Sequence, residues 1–357
     1  MENINYPAPK QEYKVLVRCF TFNHSKYIED ALNGFAMQQT NFPFVCLVVD
    51  DASTDGEQDV IKAWMERECD MSRAETIDIP TSVVIIVPHK TNVSCTFAFY
   101  LLKQNLYGTG DKKMNHIYPW REKCEYEALC EGDDYWIDPL KLQKQVEFLD
   151  KNPNCSLCFH NAFYESSKLN KRIGKHKIYS KSQKALQEHI FRDGGFIPTC
   201  SILIRITVLE KMSSSSFPSN CPVGDLKIQL YASITGEVFY INETLGVYRL
   251  VASSATHKNR NNIKSIVSHH QKFITWYNDV NEFTNRRYSD LIDRSIAFSE
   301  ARIARAQGNY FIFWKKRYWN YLNSLKITTR IGIIIGMFGL TFISKFGKLI
   351  LAKIKGL

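Results

Sequence analysis

The chain has no glycine-rich phosphate loop. None of its 17 glycines falls into GxGxxG or GxxxxGK[ST], so the dinucleotide fingerprint and the P-loop are both missing as phosphate cradles. Cys155 and Cys158 form a CxxC with no second pair nearby, and the ten cysteines are scattered. Several of them (Cys19, Cys46, Cys130, Cys158) lie inside apolar runs. That pattern excludes a zinc ribbon and a disulfide framework, and it reads as small core residues in a reducing compartment. The opening MENINYPAPKQEYK has no apolar core, so no signal peptide is expected. The uncharged run Ile331 to Ser344 falls short of the ~20 apolar residues that a membrane span requires. Acidic residues are absent after Glu300, whereas Arg302, Arg305, Lys315, Lys316, Arg317, Lys326, Arg330, Lys345, Lys348, Lys353 and Lys355 follow it.

What is present is a chain of 357 residues, 45% hydrophobic and 13% aromatic, with a formal charge of +10. Such a chain builds one large domain or two, and its charge favours anionic partners: a nucleotide, a membrane surface or a nucleic acid.

The stretch Glu131 to Trp136, EGDDYW, is the densest chemical signal. It follows a short strand-like run, Tyr126 to Cys130, and precedes Asp138 and Pro139, which read as an N-cap and first helical residue. The helix that follows puts Leu142, Val146 and Leu149 on one face. Three carboxylates, Glu131, Asp133 and Asp134, therefore crowd a strand-to-helix turn. Their repulsion is relieved by a cation, and oxygen-only ligands suit Mg2+ or Mn2+.

Upstream, Tyr13 to Cys19 reads as a strand ending at Thr21-Phe22-Asn23-His24. Phe44 to Val49 is a continuously apolar strand that stops at Asp50-Asp51. Val83 to Val87 reads as a third buried strand, and residues 95 to 106 as a helix. Strands alternating with helices imply an α/β fold, with a mostly parallel central sheet and helices on both faces. That topology puts Thr21, Asn23, Asp50 and Asp51 on the same edge as Asp133 and Asp134, where open α/β sheets bind ligands. Carboxylates there can accept from ribose hydroxyls or a base N–H, and a metal can bridge phosphates.

Taken together, TFNH, VVDDASTDG, NGFAMQQTNFPF and EGDDYW-IDP-LKLQKQVEFL resemble family 2 glycosyltransferases of the GT-A fold, and bacterial surface-polysaccharide members in particular. The resemblance covers about residues 13 to 250. It implies transfer of a sugar, hexosyl-like, from a nucleotide-sugar to an acceptor. By position, Thr21 and Asn23 lie in the first nucleotide loop, Asp50 and Asp51 contact base and ribose, and Asp133 and Asp134 hold phosphate and metal. Asp225, which opens a helix with Leu226, Leu230 and Ile234, matches the general base of an inverting reaction. Arg249 closes the catalytic segment and neutralises phosphate charge. Glu131 stands where many members have Asp. After Arg249 the family's His and Gly-rich loop are replaced by LVASSATH, with His257 as a substitute. His160 reads as a structural histidine, and residues 165 to 190 as a polar loop over the site.

These readings divide the chain into a catalytic domain, 1–255, and a helical, basic, membrane-associated region, 256–357. In the latter, lysines alternate with Phe346, Leu349, Ile350 and Ile354, as in a helix lying on anionic lipid. The expected partners are a nucleotide-sugar donor, a glycan or lipid-linked acceptor and an anionic membrane at the inner face of a bacterial cell. No nucleic acid is expected, and a homo-oligomer is allowed. A nucleotidyltransferase on a similar scaffold and a non-catalytic membrane scaffold are the competing functions.

Overall fold

The structure, a computed structural model, describes residues 6–107, 113–176, 178–191, 196–251 and 262–337. The chain divides into two compact units: Met1–Leu186, Gly195–Ser215 and Ile228–Ala252 form the first, and Gln187–Gly194, Ser216–Lys227 and Ser253–Leu357 the second. The boundary expected at 255/256 falls among residues outside the described set, as does His257.

The first unit is α/β, as the sequence implied. Its strands are β1 (Tyr13–Thr21), β2 (Phe44–Asp50), β3 (Glu75–Ile79), β4 (Ser82–Pro88), β5 (Cys95–Leu102), β6 (Cys124–Leu129), β7 (Tyr135–Trp136), β8 (Cys155–Ser166), β9 (Lys171–Lys175), β10 (Gln183–Lys184), β11 (Leu203–Arg205) and β12 (Glu237–Leu250). They form one sheet in the order β10-β12-β8-β11-β6-β1-β2-β5-β4-β3, with β7 on β12 and β9 on β8. Its centre, β6-β1-β2-β5, is parallel, and β8 and β12 form a second parallel pair. The other strands join antiparallel, β11 as the bridge between β6 and β8.

Alternate residues of β2 enter two cores. Phe44, Cys46 and Val48 pack with Ile28, Leu32, Phe35, Trp64, Leu142 and Val146 from the helices Ile28–Ala36, Glu57–Glu68 and Lys141–Lys151. Val45, Leu47 and Val49 face the other way, onto Ile117 and onto Trp120 of the short helix Tyr118–Arg121. A strand buried on both faces carries no polar alternation. Each such side chain contributes about 1.5–3 kcal/mol by leaving water.

Two local expectations are corrected. Residues 95 to 106, read as a helix, contain β5, parallel to β2 from Phe44↔Cys95 to Asp50↔Leu101. Phe97 and Phe99 enter one core and Ala98 and Tyr100 the other, so the period of two is masked. Thr96 and the three aromatics favour a pleated surface. Val83 to Val87 lies in β4, which runs antiparallel to β5 and forms a hairpin with β3. The helix after EGDDYW starts at Lys141, two residues later than the Pro139 start, although Asp138 does act at its entry, accepting from the Leu140 N–H at 2.8 Å.

The second unit is helical among its described residues. Ile263–Phe283 and Ser289–Ala306 are its long helices, and Trp319–Ser324 and Ile327–Met337 follow. No helix among the described residues is long and apolar enough to cross a membrane. The lysine-rich stretch 338–357, expected to lie on lipid, is outside the described residues.

Candidate active site

Parallel pairing sets the site. Thr21 ends β1 opposite Asp50 at the end of β2. On the other side of β1, the Cys130 N–H donates to Arg18 O and the Gly132 N–H to Phe20 O, both at 3.1 Å, so the acidic turn follows β6 along the same edge. The two acidic pairs therefore flank Thr21, one strand spacing of about 4.8 Å to either side.

Thr21 is buried and donates its hydroxyl to Glu57. Glu57 is itself fully buried, and its carboxylate also accepts from the Ser53 hydroxyl and the His24 N–H, each at 2.8 Å. Burial pushes the Glu57 carboxyl up; these hydrogen bonds pull it back, and nearby Asp50 adds to the rise. Asn23 has a left-handed backbone (φ 58°), which asparagine tolerates, and its Oδ1 accepts from the Thr54 N–H at 2.8 Å. The first loop is thus tied to the second through Asn23 and Glu57. Glu57 was missed by sequence reading. At the start of a helix it resembles any residue favouring the helix dipole, and nothing local signals its reach to Thr21.

Asp50 is fully buried. Its Oδ1 accepts from the Ser53 N–H at 3.0 Å and Gln58 Nε2 at 2.6 Å. Its Oδ2 is buried with no hydrogen-bond partner among the described residues. Asp51 turns toward the chain after β5, accepting from the Leu106 N–H at 2.7 Å and pairing with Lys113 Nζ at 3.1 Å.

Across β1, Asp133 Oδ2 stands 3.8 Å from His24 Nε2, and His24 Nδ1 is 3.2 Å from the Thr21 hydroxyl. Asp134 is buried and accepts from the Arg249 N–H at 2.8 Å. Burial first, and then Asp133 and Glu131, push its carboxyl well above the usual carboxylate range, with the Arg249 N–H opposing. The Arg249 side chain is already engaged. Its Nε meets Glu165 at 2.7 Å, its Nη2 meets Asp30, and its Nη1 donates to Asp133 O at 3.2 Å. The guanidinium lies over Tyr135 at 4.4 Å and Tyr27 at 5.0 Å. An arginine so occupied fixes the acidic turn in place.

The edge of β1 therefore gathers Thr21, Asn23, Asp50, Asp51, Asp133 and Asp134, but not with all carboxylates turned to one point. Asp51 faces Lys113, Asp134 faces the Arg249 backbone, and Asp133 lies beside His24 between them. Asp225 belongs to the second unit. It sits in the first turn of the helix Gly224–Thr235, and its Oδ1 accepts from the Leu226 N–H at 2.8 Å. His160 is buried, with Nδ1 at 2.8 Å from Asn161 O, and burial with Lys141 nearby pushes it down to about 3.

No group of three or more His, Cys, Asp or Glu side chains poised for a metal occurs among the described residues. Two carboxylates still fit the manner in which Mg2+ or Mn2+ is held beside a nucleotide, where waters and substrate phosphates complete the shell. Asp134, raised chiefly by burial and then by Asp133, lies beside that second carboxylate, and a cation between two carboxylates relieves their repulsion.

This is a carboxylate-lined α/β ligand edge without a phosphate loop. No protein-family model matches the chain. Uncharacterized proteins of Mycobacterium tuberculosis and Mycobacterium bovis are 30% identical to it over 239 residues, which is 66% of this chain and 59% of theirs. Among solved structures, S. aureus TarS is similar over 91% of this chain and 79% of its own, at 14% identity and TM-score 0.47. The mannosyltransferase PcManGT from Pyrobaculum calidifontis, in complex with GDP-Man and Mn2+, is similar over 94% of this chain and 89% of its own, at 12% identity and TM-score 0.47.

Proposed function

We propose that the protein is a metal-dependent, inverting glycosyltransferase of the GT-A type, which moves a hexose-like sugar from a nucleotide-sugar to a lipid-linked glycan at the inner face of a bacterial membrane. The observation that carries this reading is the pair of acidic turns flanking Thr21 on one parallel sheet edge. The Oδ2 of Asp50, buried and without a hydrogen-bond partner among the described residues, is an acceptor for a base or ribose donor, and Asp51, braced by Lys113, orders the same loop. Thr21 and Asn23 hold the first loop against the second. Asp133 and Asp134 would hold Mn2+ or Mg2+, which when bound supplies positive charge to the departing diphosphate. Arg249 anchors that turn through its backbone N–H and its contact with Asp133 O.

In the transfer itself, the base, which the sequence resemblance assigns to Asp225, would take the proton of the acceptor hydroxyl as that oxygen bonds to the sugar C1. The C1–O bond to the phosphate breaks on the opposite face, and the electron pair leaves with the nucleoside diphosphate. The test is a screen of nucleotide-sugars for Mn2+-dependent donor hydrolysis and thermal stabilisation, repeated with Asp225→Asn. A response to one donor, with turnover at least about a hundredfold lower in a folded Asp225→Asn, is expected. Release of pyrophosphate would instead identify a nucleotidyltransferase, and silence toward every donor a non-catalytic scaffold.

A further inference from the structure

The helix Ile327–Met337 has two opposed faces. Ile333 is buried with Ala297, Ala301, Phe313, Tyr321 and Leu322, and Gly336 lies so close to Tyr310 that a Cβ would come within 2.3 Å of its ring. On the opposite side, Ile327, Ile331, Ile334 and Ile335 are 63%, 50%, 40% and 41% exposed. Their spacing of i, i+4, i+7 and i+8 makes one continuous stripe. Single exposed apolar residues are ordinary on a surface, but a contiguous row marks a contact. Phe311 and Trp319, in preceding elements of the same unit, are 68% and 51% exposed.

The charge says what covers the stripe. Lys326 and Arg330 border it, and Lys315 and Lys316 are exposed between the two aromatics. No Asp or Glu occurs anywhere after Glu300. A second copy would bring this acid-free, basic segment against its own like charge, whereas an anionic bilayer complements both the segment's charge and its apolar row. An apolar stripe bordered by cations is the pattern of a helix lying in the plane of the interface.

We propose that this stripe, with Phe311, Trp319, Lys315, Lys316 and Lys326, is a docking surface for an anionic membrane. The isoleucines enter the headgroup–acyl boundary and the lysines meet lipid phosphates. The proposal deepens the lipid-linked acceptor reading above by naming the surface that holds the enzyme at its substrate.

The test is co-sedimentation of the full chain with vesicles of phosphatidylcholine, with and without phosphatidylglycerol. Ile331→Glu/Ile335→Glu and Lys315→Glu/Lys316→Glu are compared with the unaltered protein. Binding to the anionic vesicles is expected, weakened at least about tenfold by either double substitution and by high salt. Undiminished binding of both variants would place docking in residues 338–357 alone and overturn the proposal. A drop in melting temperature for Ile331→Glu/Ile335→Glu, with lipid binding unchanged in Lys315→Glu/Lys316→Glu, would show the stripe to be covered by the chain itself. A concentration-dependent dimer abolished by the isoleucine substitutions, without vesicle binding, would assign it to a second copy. Donor hydrolysis measured on the same preparations separates the two readings: hydrolysis without vesicle binding defeats only the docking surface, and vesicle binding without hydrolysis defeats only the transferase.

Discussion

The hydroxyl of Thr21 is held by the carboxylate of Glu57, thirty-six residues further along the chain. This contact joins the end of β1 to the start of the helix after β2. The same carboxylate fixes the His24 backbone and the Ser53 hydroxyl. The wall between the two acidic pairs is therefore organised by a residue that carries none of the proposed chemistry.

Replacing Glu57 by Gln turns one of its acceptor oxygens into a donor facing the His24 N–H or the hydroxyls. A buried donor left without an acceptor costs about 1–3 kcal/mol. A urea midpoint lowered to that extent, with a raised KM for the donor, is expected. An unchanged midpoint would mean that the three hydrogen bonds do not form together.

Gly132→Ala tests the close approach of the acidic turn to β1. A Cβ there would stand 2.1 Å from the Thr21 hydroxyl oxygen and 2.6 Å from its Cβ. The turn or Thr21 must move, at a cost of about 1–3 kcal/mol, and the Glu57 link is lost with it. Gly224→Ala, with nothing within 4 Å, serves as the contrast and should leave the urea midpoint within about 0.5 kcal/mol of the parent.

Asp134→Asn should stabilise the metal-free protein while removing its thermal response to Mn2+. Because the folded carboxyl is raised, its contribution to stability is present below the ordinary aspartate range and is lost as pH rises through the folded value. Asparagine keeps the acceptor for the Arg249 N–H without the charge. A gain on the order of 1–3 kcal/mol at neutral pH, shrinking toward acid, is expected from paired denaturation curves. A metal response that survives the substitution would remove Asp134 from the site.

Glu127 behaves in the opposite sense. It is fully buried on β6, with Arg121 Nε at 2.6 Å and Arg18 Nε at 3.0 Å. Burial alone would raise its carboxyl, but the two guanidinium groups outweigh burial and hold it below the usual range. Its stabilising contribution is present above the ordinary glutamate range and is lost as pH falls through the depressed value. Glu127→Gln removes the buried charge that Arg121 and the part-buried Arg18 share, and should cost about 3–5 kcal/mol near neutrality. The cost should diminish in acid, which stability measurements across pH will show.

Much of the site edge was legible in the chain. The apolar runs of β1, β2 and β6 and the polar residues at their ends are local features, and parallel pairing then forces those ends together. The β3–β4–β5 arrangement was not legible, because Cys95 to Leu102 is apolar on both faces and period alone cannot separate strand from helix there. Nor was the state of Arg249, whose partners Asp30 and Glu165 lie far from it in the chain.

What the sequence determined by itself is therefore composition and order: an α/β core, acidic turns after β2 and β6, and a terminal stretch with no negative charge. Tertiary structure alone decided which carboxylate oxygens are paired and which are not. Asp51 is spent on Lys113 and Leu106, whereas one oxygen of Asp50 has no partner among the described residues. The physical reason is that a carboxylate's role depends on the donors within about 3 Å of it, and folding brings those donors from distant parts of the chain.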